Sequence, residues 1–378
     1  MRKIRILVVD DAVVVRRMLT DTLAADPLLM VAGAAANGRI ALQRIPQVNP
    51  DVVILDIEMP EMDGLETLGH IRKTYPRLPV IMFSTLTERG AAATMDALAL
   101  GANDYVTKPA NVGSALQAIE RIRAEMIPKI LAFCGGAAGL KVSTAAPARP
   151  LLAARTGPPP VFPRLNSKVE IVAIGVSTGG PNALAELIPV IPADFPVPVV
   201  IVQHMPPLFT KLLAERLAAR SYIPVEEGSS GQRLLAGRAY LAPGNYHMMV
   251  SREVNGAKIH MHQDPPENSC RPAVDVLFRS VAGAYRGGSL GVVMTGMGQD
   301  GLRGSEFIRE AGGQVIVQDE ASSVVWGMPG FVAQAGLADK ILPLSDLGLE
   351  IIRRVGEGRN GRGWTPGALG ATERKGGR

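Results

Sequence analysis

Short runs of β-branched and aliphatic residues alternate with amphipathic stretches along most of the chain. In the N-terminal third the apolar runs are Ile4–Val9, Met30–Ala34, Val52–Leu55, Val80–Phe83 and Tyr105–Thr107, each too short for a buried helix. Between them the spacing predicts helices at Val14–Leu23, Arg39–Ile45, Leu65–Thr74, Ala92–Leu100 and Ser114–Ile122. Alternation of this kind predicts a parallel sheet covered on both faces. From about residue 125 to 167 the pattern fails, and Gly135-Gly136, Pro147, Pro150 and Pro158-Pro159-Pro160 mark a linker with a helical start. A second alternation follows, with strands at Ile171–Gly175, Val197–Gln203, Val225–Glu227, Ala239–Leu241, Leu290–Thr295 and Gln314–Gln318. Its helices fall at Ala183–Ile188, Leu208–Ala219, Val274–Ala284 and Gly301–Ala311. The segments His247–Val254 and Lys258–Gln263 flank Asn255-Gly256, a strong hairpin signal. The expected class is α/β, with two doubly wound parallel-sheet domains: residues 1–124, a linker over 125–167, a larger domain over 168–356 carrying the hairpin, and a basic, Gly-rich tail over 357–378.

Charge and cysteine content narrow the setting. From Arg353 onward seven basic residues face two acidic ones, which accounts for the whole net charge of +5. A balanced body with a basic end gives no nucleic-acid surface, and the tail reads as a frayed, solvated terminus. Two cysteines, Cys134 and Cys270, are too few for a disulfide framework and fit a reducing compartment, so a cytoplasmic location is expected. The apolar start of the chain meets Asp10-Asp11 too soon for a signal peptide, and no apolar stretch reaches ~18 residues, so no membrane insertion is expected.

In an open parallel sheet, chemistry gathers beyond the carboxyl ends of the strands. Asp10-Asp11, Asp56, Ser84-Thr85 and Lys108-Pro109 all follow such ends in the first domain. Crowded carboxylates repel one another unless a hard cation sits among them, and Mg²⁺ suits a few carboxylates plus a phosphoryl oxygen. Each acid alone reads as a turn or cap residue. With Lys108-Pro109 and the run from Leu55 to Gly64, however, the segment resembles a two-component receiver domain, which is flavodoxin-like, over essentially its full length. The resemblance implies Asp56 as phosphoacceptor, with Asp10, Asp11, Asp56 and the backbone carbonyl of Glu58 around Mg²⁺. Ser84, Tyr105 and Lys108 match the family's switch hydroxyl, switch aromatic and phosphate-binding lysine, and a histidine kinase is the implied phosphodonor.

The second domain carries Gly175-Val176-Ser177-Thr178-Gly179 between a strand and a helix, the context of a nucleophile elbow. A helix cap is the plain alternative for Ser177. Among the five histidines, His204 ends an apolar run and falls on the same rim as Ser177, whereas His70 belongs to the first domain and faces solvent. His260 and His262 read as solvent-facing hairpin residues without a third metal ligand, and His247 is an outside candidate for the site. Asp300 lies on the Gly-rich loop Gly296–Gly301, where capping the following helix is its plain role. Ser177, His204 and Asp300 together make a nucleophile, base and orienting acid in a chain order unlike the α/β-hydrolases.

These stretches, with Val202–Pro206, Ala242–Gly244, Arg271-Pro272, Val274–Phe278 and Ala321–Gly330, resemble the catalytic domain of the chemotaxis protein-glutamate methylesterases, receiver-fused hydrolases that also deamidate glutamine. Cys270 and Ala273 depart from the expected histidine and serine, a difference expected to leave the triad untouched. The resemblance implies hydrolysis of γ-glutamyl methyl esters on methyl-accepting chemoreceptors with release of methanol, without a metal in the esterase chemistry. It also implies oxyanion donors at the Met297 and Thr178 N–H groups, and a receiver that obstructs Ser177 until Asp56 is phosphorylated. The competing reading is a phosphorylation-gated docking module on a repurposed hydrolase domain. A transcription factor is weaker, since no basic helix-turn-helix follows the linker.

Overall fold

The structure, a computed structural model, describes residues 2–109, 115–134 and 168–357 of the chain. The chain divides into two compact units, Met1–Pro158 and Pro159–Arg378. Within the described residues no helix is long and apolar enough to cross a membrane.

The first unit is a five-stranded parallel sheet built from β1 (Ile4–Val9), β2 (Leu29–Ala35), β3 (Val52–Asp56), β4 (Val80–Ser84) and β5 (Asp104–Thr107), ordered β2-β1-β3-β4-β5. Strands β1, β3 and β4 are buried almost throughout, which is why they read as continuous apolar runs. Helices α1 (Val13–Ala24), α2 (Gly38–Val48), α3 (Gly64–Thr74), α4 (Glu88–Ala99) and α5 (Ala115–Cys134) connect and follow the strands. Asn37, Asp63 and Thr87 cap α2, α3 and α4 with their side chains. Helix α5 runs ten residues beyond the expected domain boundary at 124, because Met126 and Ile130 are buried against Ile6, Val8 and Leu19. The rest of the expected linker, and the tail after Glu357, lie outside the described residues.

The second unit holds a seven-stranded sheet, parallel throughout, in the order β14-β13-β12-β6-β7-β9-β8. Its strands are β6 (Ile171–Val176), β7 (Val199–Gln203), β8 (Val225–Glu227), β9 (Ala239–Leu241), β12 (Ser289–Val293), β13 (Gln314–Gln318) and β14 (Lys340–Leu342). The hairpin β10 (His247–Glu253) and β11 (Gly256–His262) stands apart as a two-stranded antiparallel sheet. Helices α6 (Gly180–Leu187), α7 (Phe209–Ala218), α8 (Val274–Tyr285), α9 (Leu302–Glu310), α10 (Met328–Gln334) and α11 (Leu344–Gly356) complete the unit. Val274, Leu277 and Phe278 of α8 join Met248 and Ile259 of the hairpin in one core, so the hairpin is anchored beside α8. Strand order reverses at β6, which has β7 on one side and β12 on the other. That reversal opens a crevice at the ends of β6, β7 and β12.

Candidate active site

Register alone brings two of the three candidate side chains to one rim. Val176 pairs with Gln203 and Gly175 with Val293, so Ser177 and His204 are the residues that leave β6 and β7 together. The Ser177 N–H donates to the Thr295 carbonyl (3.0 Å), and the Gln203 side-chain amide donates to the Ser177 carbonyl (2.9 Å). Gly179 turns the chain into α6 at a φ of +77°, a region that disfavours a side chain, and a Cβ there would also strike Val324. Gly296 lies against Ser177 so closely that a Cβ would sit 2.8 Å from that of the serine. The elbow is therefore braced from both neighbouring strands, and the half-buried Ser177 hydroxyl makes no hydrogen bond among the described residues.

His204 Nε2 lies 2.8 Å from Asp300 Oδ2. The Asp300 carboxylate is almost fully enclosed, and besides His204 it accepts from the Val274, Asp275 and Gly301 N–H groups and from Asn268 Nδ2. Burial alone would raise its pKa, but His204 and the N–H groups opening α8 hold it below the ordinary carboxylate value. Beyond its plain role at the helix that follows it, where it accepts from Gly301, Asp300 serves the first turn of α8, while Asp275 in that turn accepts from the Gly301 and Gly304 N–H groups at the start of α9. Burial and the nearby Asp300 charge push the Asp275 carboxyl up to about 6.

Asp300 holds Nε2, so Nδ1 is the imidazole nitrogen left for a proton, and the Cys270 sulfur lies 3.5 Å from it. The expectation that the Cys270 departure leaves the candidate triad untouched is corrected at one point: the turn Glu267–Cys270 brings this thiol beside His204. The same turn carries Asn268, whose Nδ2 donates to both Asp275 (2.8 Å) and Asp300 (2.9 Å). Mutual backbone hydrogen bonds between Glu267 and Cys270 close the turn, and Arg279 grips both Glu267 oxygens at 2.6 and 2.7 Å. Burial would lower the His204 pKa, but the sulfur and the Asp300 carboxylate outweigh it and raise it to about 10.

The Met297 and Thr178 N–H groups, expected as oxyanion donors, have no acceptor among the described residues. Their loops are nonetheless fixed. Thr295 Oγ1 donates to the Thr178 carbonyl (2.9 Å), and the Gly296 carbonyl accepts from Gly327 and Met328. The remaining histidines stand elsewhere. His247 is buried, accepting from the Ala273 N–H at Nδ1 and donating Nε2–H to the Pro265 carbonyl, so it braces the loop before α8. His260 is exposed as expected, whereas His262 is half-buried with its ring 5.1 Å from that of His247, because the hairpin register pairs the two. His70 is exposed.

In the first unit, Asp10, Asp11 and Asp56 bring carboxylate oxygens within 4.8 Å of one another. Lys108 Nζ lies 2.8 Å from both Asp10 and Asp56, so one ammonium faces three carboxylates and the surplus negative charge suits a divalent cation with oxygen ligands. Burial raises the Asp56 pKa to about 6 against the opposing pull of Lys108. Glu58 follows two residues later, its side chain 3.7 Å from Arg89. The Ser84 hydroxyl donates to the Gly90 carbonyl at the start of α4 (3.0 Å), and the Tyr105 side chain is buried.

Residues 172–351 match the CheB methylesterase family and residues 6–120 the response regulator receiver domain. A protein-glutamate methylesterase/protein-glutamine glutaminase of Trichodesmium erythraeum is 59% identical over 94% of this chain and 100% of its own length. The chain belongs to the CheB methylesterase family. A protein of the same name from a Nocardioides species is 50% identical over 94% of this chain and 96% of that protein. The CheB methylesterase catalytic domain of Thermotoga maritima is 39% identical, with a TM-score of 0.49, covering 50% of this chain and 99% of that domain.

Proposed function

We propose that this chain hydrolyses γ-glutamyl methyl esters on chemoreceptors, releasing methanol, and deamidates receptor glutamines, under control of Asp56 phosphorylation by a histidine kinase. The observation that carries the chemistry is the 2.8 Å contact of His204 Nε2 with the enclosed Asp300, one strand from the Ser177 elbow. With Nε2 bound to Asp300, His204 takes the Ser177 proton at Nδ1 as the serine oxygen attacks the ester carbonyl. Asp300 fixes that tautomer and stabilises the imidazolium, which then protonates the leaving methoxide. The unpaired N–H groups of Met297 and Thr178 receive the oxyanion, a contribution of about 3 kcal/mol per donor in comparable sites. Water then cleaves the acyl-serine by the same route in reverse.

At the receiver, Asp10, Asp11, Asp56 and the Glu58 carbonyl would hold Mg²⁺, which neutralises charge on the phosphoryl group during its transfer to Asp56. Lys108, which lies 2.8 Å from both Asp10 and Asp56, would pair with a phosphoryl oxygen. Methanol release from methylated receptor, with and without a small phosphodonor, tests the proposal. No release by the intact chain, together with no labelling of Ser177 by a fluorophosphonate, overturns it.

A further inference from the structure

We propose that Cys270 is a second nucleophile of this site, a thiol that small hydroperoxides oxidise reversibly and whose oxidation takes His204 out of use. The inference rests on His204 being the base of the proposed hydrolysis. Three observations carry it. The sulfur lies 3.5 Å from His204 Nδ1, the imidazole nitrogen that Asp300 does not hold, within reach for passing its proton to the ring. The Glu267–Cys270 turn, closed on itself and gripped by Arg279, holds the sulfur there. Cys270 is also partly exposed, on a loop segment whose neighbours Asn268 and Ser269 are exposed, so a small reagent reaches it.

A thiolate beside an imidazolium is the arrangement that makes a cysteine reactive. Cys134 provides the contrast within the chain. Its sulfur faces the Asp51 carbonyl at 3.4 Å and burial pushes its thiol up to about 12. A metal held by His204 and Cys270 is the rival use of the pair. Both oxygens of Asp300 are already engaged by backbone and side-chain donors, so the third candidate ligand is committed elsewhere.

In the proposed step the Cys270 thiolate attacks one oxygen of hydrogen peroxide and the O–O bond breaks. The departing hydroxide takes the proton of the His204 imidazolium and leaves as water. Sulfur loses two electrons, the peroxide gains them, and the product is a sulfenic acid. Its hydroxyl sits at Nδ1, where the Ser177 proton has to go. Two equivalents of a thiol reductant return Cys270, with one disulfide and one water as products.

The full-length protein is treated with hydrogen peroxide, quenched with catalase, and read by dimedone adduct mass, fluorophosphonate labelling of Ser177 and methanol release. The expected result is a dimedone adduct on the peptide containing Cys270, not Cys134, with methanol release down about 100-fold, the scale of a lost general base, and restored by dithiothreitol. Cys270→Ser, compared with its own untreated rate, should lose nothing to peroxide, and Cys134→Ser should remain sensitive. An unmodified Cys270, or a modified one with undiminished activity, overturns the proposal, as does equal sensitivity of Cys270→Ser. If the untreated protein releases no methanol, the hydrolase reading fails, whereas thiol reactivity is still judged by the adduct mass.

Discussion

Asp275 and Asp300 each serve the helix that begins beside the other. Asp300 accepts from the Val274 and Asp275 N–H groups that open α8, and Asp275 accepts from Gly301 and Gly304 at the opening of α9. Two helix N-termini thereby hold two adjacent buried carboxylates, an arrangement their mutual repulsion would otherwise disfavour. Asn268 completes it by donating one hydrogen bond to each acid.

That bridge makes Asn268 a positioning residue. Its φ of +53° suits asparagine, glycine or aspartate better than a bulkier residue. Asn268→Asp keeps the backbone preference but sets a third carboxylate against Asp275 and Asp300. A kcat lower by roughly tenfold and a lower melting temperature are expected, an effect on the order of 1–3 kcal/mol. Asn268→Gly should cost less, since it removes the donor without adding charge. Wild-type kcat in the Asp variant would mean that Asp300 is set without the bridge.

For the triad, Ser177→Ala or His204→Ala should nearly abolish methanol release from a protein that melts normally, because the members act as one unit. Asp300→Asn should keep more residual activity, yet it is also expected to destabilise the fold, since an amide nitrogen would face some of the N–H donors that Asp300 now accepts from. Comparing kcat with the melting temperature for all three variants checks the pattern.

The parallel strands were legible because β-branched runs buried on both faces leave a continuous apolar signature, as in Ile171–Val176 and Val199–Gln203. Ser177, His204 and Asp300 were legible because each follows such a run. The short edge strand Lys340–Leu342 carries no such signature, being largely exposed, and helix α10 hides behind its Gly and Pro residues. Asn268, and the contact of Cys270 with His204, were not legible for a different reason. Both residues sit in a four-residue turn with no periodicity, and only the tertiary fold brings it to β7 and α8. Asp275 did leave a trace, as an acid inside the apolar run Val274–Phe278, where a buried charge requires partners.

The proximity of sulfur to His204 has a pH signature. In the proposed hydrolysis His204 must be neutral to accept the Ser177 proton, so esterase activity should climb as pH rises through its elevated pKa. Cys270 contributes to that elevation, so Cys270→Ala should move the ascending limb to lower pH. A pH profile of kcat for the two proteins decides the matter. An unmoved limb would show that Asp300 alone sets the imidazole.

The last prediction concerns Asp56, whose burial works against its own charge. Its carboxyl titrates near 6 in the folded protein against an ordinary 3.8, so between these values the folded state binds more protons than the unfolded one. Stability of the receiver should therefore fall as pH rises from about 4 to about 6, with the full cost remaining above. Asp56→Asn removes the titrating group while Asp10 still pairs with Lys108 at 2.8 Å, so the variant should fold and lose that part of the pH dependence. Melting temperatures between pH 4.5 and 8, taken in EDTA to exclude divalent cations, read this directly. The same variant should release methanol at a rate that a small phosphodonor does not change, while the wild-type rate rises. An Asp56→Asn protein that folds with the expected flatter profile and still responds to phosphodonor would place the phosphoacceptor at another residue.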